Sequence, residues 1–205
     1  MLTPMARLRI AQDEHADEVL SQDPFALLAG MLLDQQFPME RAFAGPAKIL
    51  DRFGTLAPDR IAAADPDEFA ALCTTPPAVH RFPGSMAARV QALAQAVVTT
   101  YGGDTRRLWE EAASGKELLS RLTALPGFGR QKAQIFVALL GKQLGVRPPG
   151  WEEVAGAYAE EGSFRSVADV VDADSLERVR SFKKSAKQAA KQVGTAARPE
   201  VAAAE

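Results

Sequence analysis

The amino-acid sequence predicts an all-α fold, and three observations support this prediction. Apolar residues return at spacings of three and four along most of the chain, which is the period of an amphipathic helix. No β-branched stretch alternates convincingly with polar residues, as a half-buried strand would. With 205 residues and 47% hydrophobic content, the chain can bury one substantial core, or two lobes that share a cleft.

The first strong helix signal is Asp23-Pro24, where an N-cap residue precedes a proline at the first helical position. The segment Phe25–Leu33 is apolar nearly all round, which predicts a central buried helix that ends before Pro38. A second Asp-Pro pair at 65–66 begins a short helix, and the prolines at 76–77 predict a loop after it.

The middle of the chain carries two more helix signals. A helix over 86–98 is predicted to stop at the glycine pair 102–103. Ser114 and Glu117 are spaced as a capping box, in which each side chain satisfies the free backbone N–H of the other residue. We therefore expect a further helix over 115–124.

Another helix is predicted to begin near Arg130 and to stop at Gly145. Shorter patterns predict helices over 152–159, 167–171 and 175–192. We expect residues 1–192 to form a single domain. Residues 193–205 are Ala-rich without an apolar period, which predicts a disordered tail.

Composition disfavours several classes of protein and of site. Apolar runs such as 25–33 are too short to cross a bilayer and two arginines interrupt the apolar N-terminal stretch, so we expect a cytoplasmic protein. The single cysteine, Cys73, lacks basic neighbours and is expected to be a buried apolar side chain rather than a nucleophile. His15 and His80 are isolated, which predicts surface or loop positions and no metal site.

The most informative segment is the glycine-rich turn between the helices over 115–124 and from 130 onward. Gly127 and Gly129 permit positive φ angles and a close backbone approach to a partner, while Phe128 can anchor the turn in the core. The turn leads into a helix N-terminus, where free N–H groups, the helix dipole and two basic residues, Arg130 and Lys132, favour a phosphate. The alternative is an ordinary αα-hairpin with a glycine cap.

Residues 125–133 resemble the Leu-Pro-Gly-x-Gly-x-x-x-Ala hairpin of the helix-hairpin-helix, Gly/Pro-loop (HhH-GPD) DNA glycosylases. The segment Gly-Val-Arg-Pro-Pro-Gly at 145–150 is similar to the Gly/Pro loop of that family. Weaker similarities lie at 23–36, 52–55, 65–68 and 86–90. The resemblance covers about Asp23 to Trp151.

The resemblance implies two helical lobes, one formed by about 23–150 and the other by 1–22 together with 151–192. Double-stranded DNA would lie across the cleft between them, and a damaged base would be flipped out of the duplex into that cleft. Gln36 falls where the family places a side chain that fills the vacated gap. We expect the protein to act as a monomer.

The sequence departs from the family where members that also cleave the DNA strand carry a lysine. Here that position is Gln131, so strand cleavage is not expected and Gln131 becomes a candidate for the lesion pocket. Lys132 is one residue further, and one helical step turns a side chain by about 100°, so a phosphate contact or a solvated position is expected. Asp34 is the second pocket candidate, either as a half-buried carboxylate with a raised pKa or in a structural hydrogen-bonding role.

A second departure concerns the catalytic aspartate, which in the family follows the Gly/Pro loop. No aspartate lies between Asp104 and Asp169, and Glu152 and Glu153 occupy the expected place, with Glu152 fitting the loop spacing better. A glutamate can stabilise positive charge on the sugar or orient water, although its extra methylene shifts the oxygens. The alternative is that both glutamates simply favour a helix N-terminus.

The cysteine count and the distribution of charge restrict the expected cofactors and DNA contacts. The iron–sulfur cluster of the endonuclease III branch needs a set of cysteine ligands, so with a single cysteine we expect no cofactor. The net charge of −2 means that any contact with DNA must be local. Basic residues concentrate near the C-terminus, opposed only by Glu177: Arg178, Arg180, Lys183, Lys184, Lys187 and Lys191. This stretch is either a solvated helix face or a DNA-facing one.

These features favour a monofunctional DNA N-glycosylase of base excision repair, which would hydrolyse the bond between a damaged base and deoxyribose. The alternative is a non-catalytic protein on the same scaffold that recognises damaged or abasic DNA. A third interpretation is a helical interaction protein whose hairpin binds no DNA. The lesion preference is not readable, because the pocket residues come from several segments of the chain.

Overall fold

The computed structural model describes residues 7–196, and all regular secondary structure within them is helical. The α-helices are α1 (Glu14–Gln22), α2 (Pro24–Leu33), α3 (Met39–Phe43), α4 (Gly45–Phe53), α5 (Pro58–Ala62), α6 (Pro66–Thr74), α7 (Pro83–Tyr101), α8 (Arg107–Glu110), α9 (Gly115–Thr123), α10 (Arg130–Gln143), α11 (Trp151–Ala155) and α12 (Ala173–Ala196). Short 3₁₀ helices lie at Gly156–Tyr158 and Val167–Asp169. The predicted all-α fold is confirmed.

Side-chain caps begin the helices at the positions predicted from the sequence. Asp23 Oδ1 accepts two backbone N–H groups at the start of α2, at 2.8 and 3.0 Å, and Asp65 does the same for α6. Ser114 caps α9, as expected. The reciprocal half of the capping box is wrong, because the Glu117 carboxylate accepts from the backbone N–H of Ala113 and not from that of Ser114.

The first half of the chain is built around α2, whose residues from Phe25 to Leu33 are all buried, as predicted. Helices α3 and α4 pack against it, and α7 lies along α5 and α6 and also contacts α2. Helix α1 packs against α2 and α4. The two lobes implied by the resemblance instead put α1 in the other lobe, together with the C-terminal helices. The lobe boundaries stay a prediction.

The second half is built around α10, against which α9, α11 and both 3₁₀ helices pack. Its residues from Phe136 to Leu140 are fully buried. A buried ion pair ties α10 to the second 3₁₀ helix, since Lys142 Nζ donates to Asp169 Oδ1 at 2.5 Å. The C-terminal helix α12 follows this segment and packs against it through its first turns.

The C-terminal helices differ from their predicted bounds. The helix expected over 152–159 is the five-residue α11, which ends at Ala155 and is followed by a 3₁₀ helix that begins at Gly156 (φ 60°). The helix expected over 167–171 is a three-residue 3₁₀ helix capped by Ser166. Helix α12 extends to Ala196, so residues 193–196 of the expected tail are helical, and the rest of that tail lies outside the described residues.

The isolated cysteine and histidines lie largely where composition placed them. Cys73 is buried, as predicted, and burial raises the pKa of its thiol to about 11, which disfavours the nucleophilic thiolate. His15 is exposed and its Nε2 lies 2.9 Å from Asp51 Oδ1. His80 lies in a loop but is buried, and burial lowers its pKa.

No group of three or more His, Cys, Asp or Glu side chains among residues 7–196 is arranged to hold a metal ion. No helix among the described residues is long and apolar enough to cross a membrane.

Candidate nucleic-acid interface

The glycine turn between α9 and α10 packs directly onto the end of α2. Gly127 has φ 83°, and a Cβ at this position would lie 2.4 Å from Leu32 Cδ1. Glycine is therefore required here for two reasons, the left-handed backbone and the close contact with α2. Phe128 is 3% exposed and meets Phe136 edge-on, with ring centroids 6.0 Å apart. The anchoring role predicted for Phe128 is confirmed, and its buried ring leaves the backbone of the turn to meet a partner.

The second glycine of the turn differs from the first. Gly129 has φ −71°, so of the two glycines only Gly127 uses the positive φ that glycine permits. A Cβ at Gly129 would meet nothing within 4 Å. The absent side chain instead leaves open space in front of the α10 N-terminus.

This N-terminus has the features of an anion-binding site. Gly129 is the N-cap and no side chain caps the helix, so the first backbone N–H groups of α10 have no partner from a capping residue. The first turn carries no acidic residue, and the exposed Arg130 stands at its start. Free N–H groups and the helix dipole then both favour a phosphate at this point.

Lys132 lies on the side of α10 that faces α2. Its Nζ donates to the Leu32 carbonyl at 2.9 Å and lies 5.9 Å from the centroid of the Phe128 ring. Burial lowers the pKa of Lys132 to about 8, although the nearby Asp34 carboxylate opposes the shift. Of the two positions expected for Lys132, the solvated one is therefore wrong, because the amine caps the last turn of α2. A DNA contact stays a prediction.

Asp34 follows α2 as its C-cap residue, and its side chain is 13% exposed. Its Oδ2 lies 3.8 Å from Lys183 Nζ, and its carboxylate accepts no hydrogen bond from the residues that the structure describes. Burial raises the pKa of Asp34, while Lys183 and Lys132 oppose this. The carboxylate is thus more deeply buried than the half-buried one expected from the sequence, its pKa is raised as expected, and a structural hydrogen-bonding role has no support among these residues. Asp34 as a lesion-pocket residue stays a prediction.

Gln36 completes the turn after α2 in a conformation that is uncommon for a residue with a side chain. Its φ is 51° and its side chain is exposed. Strained turns of this kind cluster at binding sites, so the geometry suits the gap-filling role that the resemblance implies. That role stays a proposal.

Two residues at this junction were missed from the sequence. Gln35 Nε2 donates to the Leu32 carbonyl at 3.0 Å, and Gln35 Oε1 accepts from Arg89 Nη1 of α7 at 3.1 Å. These bonds hold the turn that carries Asp34 and Gln36. A contact between residues 54 positions apart has no local signature, so only the glutamine pair at 35–36 was visible in the sequence.

Gln131 points away from this cluster. Its Nε2 donates to the Tyr158 hydroxyl at 2.8 Å, in the 3₁₀ helix that follows α11. Gln131 and Lys132 therefore lie on different sides of the first turn of α10, as the rotation per residue predicts. Gln131 as a lesion-pocket residue stays a proposal, with Tyr158 as a neighbour that the sequence did not indicate.

The Gly/Pro loop is held by close contacts with α9 and α10. The backbone N–H of Gly115 donates to the Pro149 carbonyl at 2.8 Å, and a Cβ at Gly141 would lie 2.4 Å from the Trp151 ring. Glu152 stands in the first turn of α11, where the sequence placed it, but it is exposed. Its carboxylate has no hydrogen-bond or ion-pair partner among the described residues, so nothing there orients it.

The comparisons with known proteins agree with this geometry. A family model described as the HhH-GPD superfamily base excision DNA repair protein matches residues 29–199. The chain has no significant match among curated proteins or among solved structures. The matched range contains α3 to α12, with the hairpin, the Gly/Pro loop and the second half of α2. The chain therefore belongs to the HhH-GPD superfamily of base excision DNA repair proteins.

Proposed function

We propose that the protein is a monofunctional DNA N-glycosylase, which removes a damaged base from double-stranded DNA by hydrolysis and leaves the strand intact. One observation carries this proposal. The N-terminus of α10, which suits a phosphate, lies next to the nearly buried carboxylate of Asp34. The two are neighbours because Gly127 and Lys132 both contact Leu32, near the end of α2. The protein would work as a monomer in the cytoplasm.

Two carboxylates are candidates for the catalytic role. As the base leaves, the sugar gains positive charge. A nearby carboxylate can stabilise this charge, or it can direct a water molecule towards the sugar. The resemblance favours Glu152, which follows the Gly/Pro loop. Burial favours Asp34, because a carboxylate shielded from water interacts more strongly with a developing charge, and Glu152 is exposed. We propose Asp34 as the first candidate and Glu152 as the second.

We expect no lyase chemistry because of the surroundings of Gln131 and Lys132, the two hairpin residues with side-chain nitrogens near the predicted lyase position. The Gln131 amide nitrogen is not nucleophilic and is bonded to Tyr158. The Lys132 amine is bonded to the Leu32 carbonyl and, with a pKa of about 8, remains mostly protonated at pH 7. Neither nitrogen is then free to attack the sugar.

A second function is favoured by one specific observation. The Glu152 carboxylate has no partner that would orient it among the described residues, which suits a protein that has lost the family's chemistry. Such a protein would bind damaged or abasic DNA without cutting the glycosidic bond.

The deciding experiment is incubation with duplexes that carry alkylated, oxidised or deaminated bases, followed by chemical cleavage of abasic products. Excision of one class supports the glycosylase, whereas tight binding without excision of any lesion supports the non-catalytic protein. Asp34→Asn and Glu152→Gln each remove one charge from a candidate carboxylate and should separate their roles. The catalytic residue is the one whose variant keeps DNA affinity and loses most of the rate, and Glu153→Gln is the matched control.

A further inference from the structure

The C-terminal part of α12 is a helix whose side chains have left the core. Leu176 and Val179 are its last buried residues, and every residue from 180 to 190 is exposed. These eleven residues include Arg180, three lysines and no acidic residue. Because the whole chain has a net charge of −2, the remainder carries −6. Positive charge is therefore concentrated on this one exposed element.

The basic residues of this stretch share one face of the helix. At about 100° per residue, Arg180, Lys183, Lys184 and Lys187 fall within an arc of about 100°. The opposite face is uncharged and is centred on Phe182, Ser185 and Ala189. A lysine that served only to keep the helix soluble would not need to share a face with the others. We call these four residues the basic stripe.

Two ion pairs orient the basic stripe towards the end of α2 and the start of α3. Arg180 Nη2 lies 2.6 Å from Glu40 Oε1, and Lys183 Nζ lies 3.8 Å from Asp34 Oδ2. The same end of α2 contacts the hairpin through Leu32. The stripe therefore begins beside the phosphate-binding turn and continues away from it.

Lys184 and Lys187 are the two residues of the basic stripe that do not help to dock the helix. Neither forms an ion pair with any residue that the structure describes. Arg180 and Lys183, in contrast, are held by carboxylates and serve to dock the helix.

We propose that Lys184 and Lys187 bind phosphates of the same DNA duplex that the hairpin binds. Lys184 and Lys187 lie about 4.5 Å apart along the helix axis at 1.5 Å per residue, close to the axial spacing of about 3.4 Å between successive phosphates of one strand. The negative charge elsewhere on the protein disfavours other orientations of the duplex, so the stripe also helps to align it. This proposal rests on the DNA binding proposed above and adds a second contact surface to it.

The test compares the full-length protein with the double variant Lys184→Gln/Lys187→Gln by fluorescence anisotropy with a labelled duplex over a range of salt concentrations. Loss of two phosphate contacts should lower the slope of log K against log salt by about two, and weaken binding on the order of tenfold at low salt. The matched control is Arg60→Gln/Lys116→Gln, which removes two exposed charges elsewhere and should leave the slope unchanged. Thermal unfolding checks that each variant is folded.

An unchanged salt slope in the double variant would overturn the proposal, and so would an equal loss of duplex affinity in the control variant. Binding to phosphatidylserine vesicles is measured in parallel. The proposal also fails if the double variant loses vesicle binding while it keeps duplex binding. The hairpin variant Gly129→Ala separates this proposal from the function proposed above. If Gly129→Ala weakens duplex binding and the lysine variant does not, the stripe proposal fails and the proposed function stands. If the unaltered protein binds no duplex, both fail.

Discussion

At the scale of single residues, two neighbours in the first turn of α10 have different chemistry because they face different surroundings. Gln131 bonds to Tyr158, whereas Lys132 is enclosed by the end of α2 and by Phe128. Removing an ammonium group from water disfavours its charged form, which explains the lowered pKa of Lys132. A lysine that the sequence presents as an ordinary basic residue is in fact the most perturbed amine of the site.

The first prediction concerns the titration of this amine. In a protein with ¹³C-labelled lysines, the Lys132 signal should titrate with a midpoint near pH 8, well below the value of about 10.4 for exposed lysines. In Asp34→Asn the midpoint should fall further, because the carboxylate that stabilises the ammonium is gone. Lys132→Arg identifies the signal, and a midpoint near 10 in the unaltered protein would contradict the burial argument.

A second prediction concerns covalent chemistry at the same amine. Borohydride reduction of the protein with abasic DNA at pH 7 should trap little adduct, because Lys132 is mostly protonated and bonded to the Leu32 carbonyl. The yield is read from a shifted band on a denaturing gel, with Lys132→Ala as the control. An efficient adduct that disappears in Lys132→Ala would show that the protein is a lyase.

At the scale of elements, the two glycines of the hairpin have different roles, one in folding and one in leaving room for a partner, although the sequence shows them as one motif. Gly127 serves the fold, through its positive φ and its contact with Leu32. Gly129 faces open space and leaves room for a partner at the α10 N-terminus. The two glycines of one motif should therefore respond differently to the same substitution.

The third prediction uses this pair. Gly127→Ala should lower the free energy of unfolding by at least about 2 kcal/mol, because it combines backbone strain with a clash against Leu32. Gly129→Ala should cost less than about 1 kcal/mol but weaken binding to every DNA sequence alike and lower the salt slope by about one. Denaturant unfolding and anisotropy measure the two effects. Full DNA affinity in Gly129→Ala would mean that the turn does not contact phosphate.

At the scale of the whole molecule, the halves of the chain meet at the end of α2, and the C-terminal segment is held to α10 by buried polar contacts. Asp169 accepts from Lys142 Nζ at 2.5 Å and from the backbone N–H groups of Arg165 and Ser166 at 2.8 and 3.1 Å. The side chains of Asp169 and Lys142 are only 4% and 13% exposed. These contacts position the segment from which α12 continues.

The fourth prediction tests this connection. Lys142→Met should lower the free energy of unfolding by about 3 kcal/mol, because it leaves the Asp169 charge buried without its partner. The surface pair Arg7–Glu14, with side chains 55% and 84% exposed, provides the control, and Arg7→Met should cost less than about 0.5 kcal/mol. Denaturant unfolding gives both values. Similar losses in the two variants would refute a special role for the buried pair.

Much of the fold was predictable because helix signals are local. The caps Asp23, Asp65 and Ser114 bond to backbone groups within three residues, so each can be recognised in a short stretch of sequence. The same is true of the hairpin, whose turn is built by consecutive residues. Five helices were missed: α1, α3, α4, α5 and α8. Three of them, α3, α5 and α8, have only four or five residues, which give no clear period.

The chemistry of the site was decided by the tertiary structure. The bond from Lys132 to the Leu32 carbonyl joins residues 100 positions apart, and the pairing of Asp34 with Lys183 crosses an even longer separation. Burial, pKa and the direction of a side chain depend on which helices surround it, and no local pattern encodes these neighbours. The sequence by itself therefore determined the all-α fold and the glycine hairpin, whereas only the packing of α2, α10 and α12 placed a carboxylate, an amine and a basic stripe around one end of a buried helix.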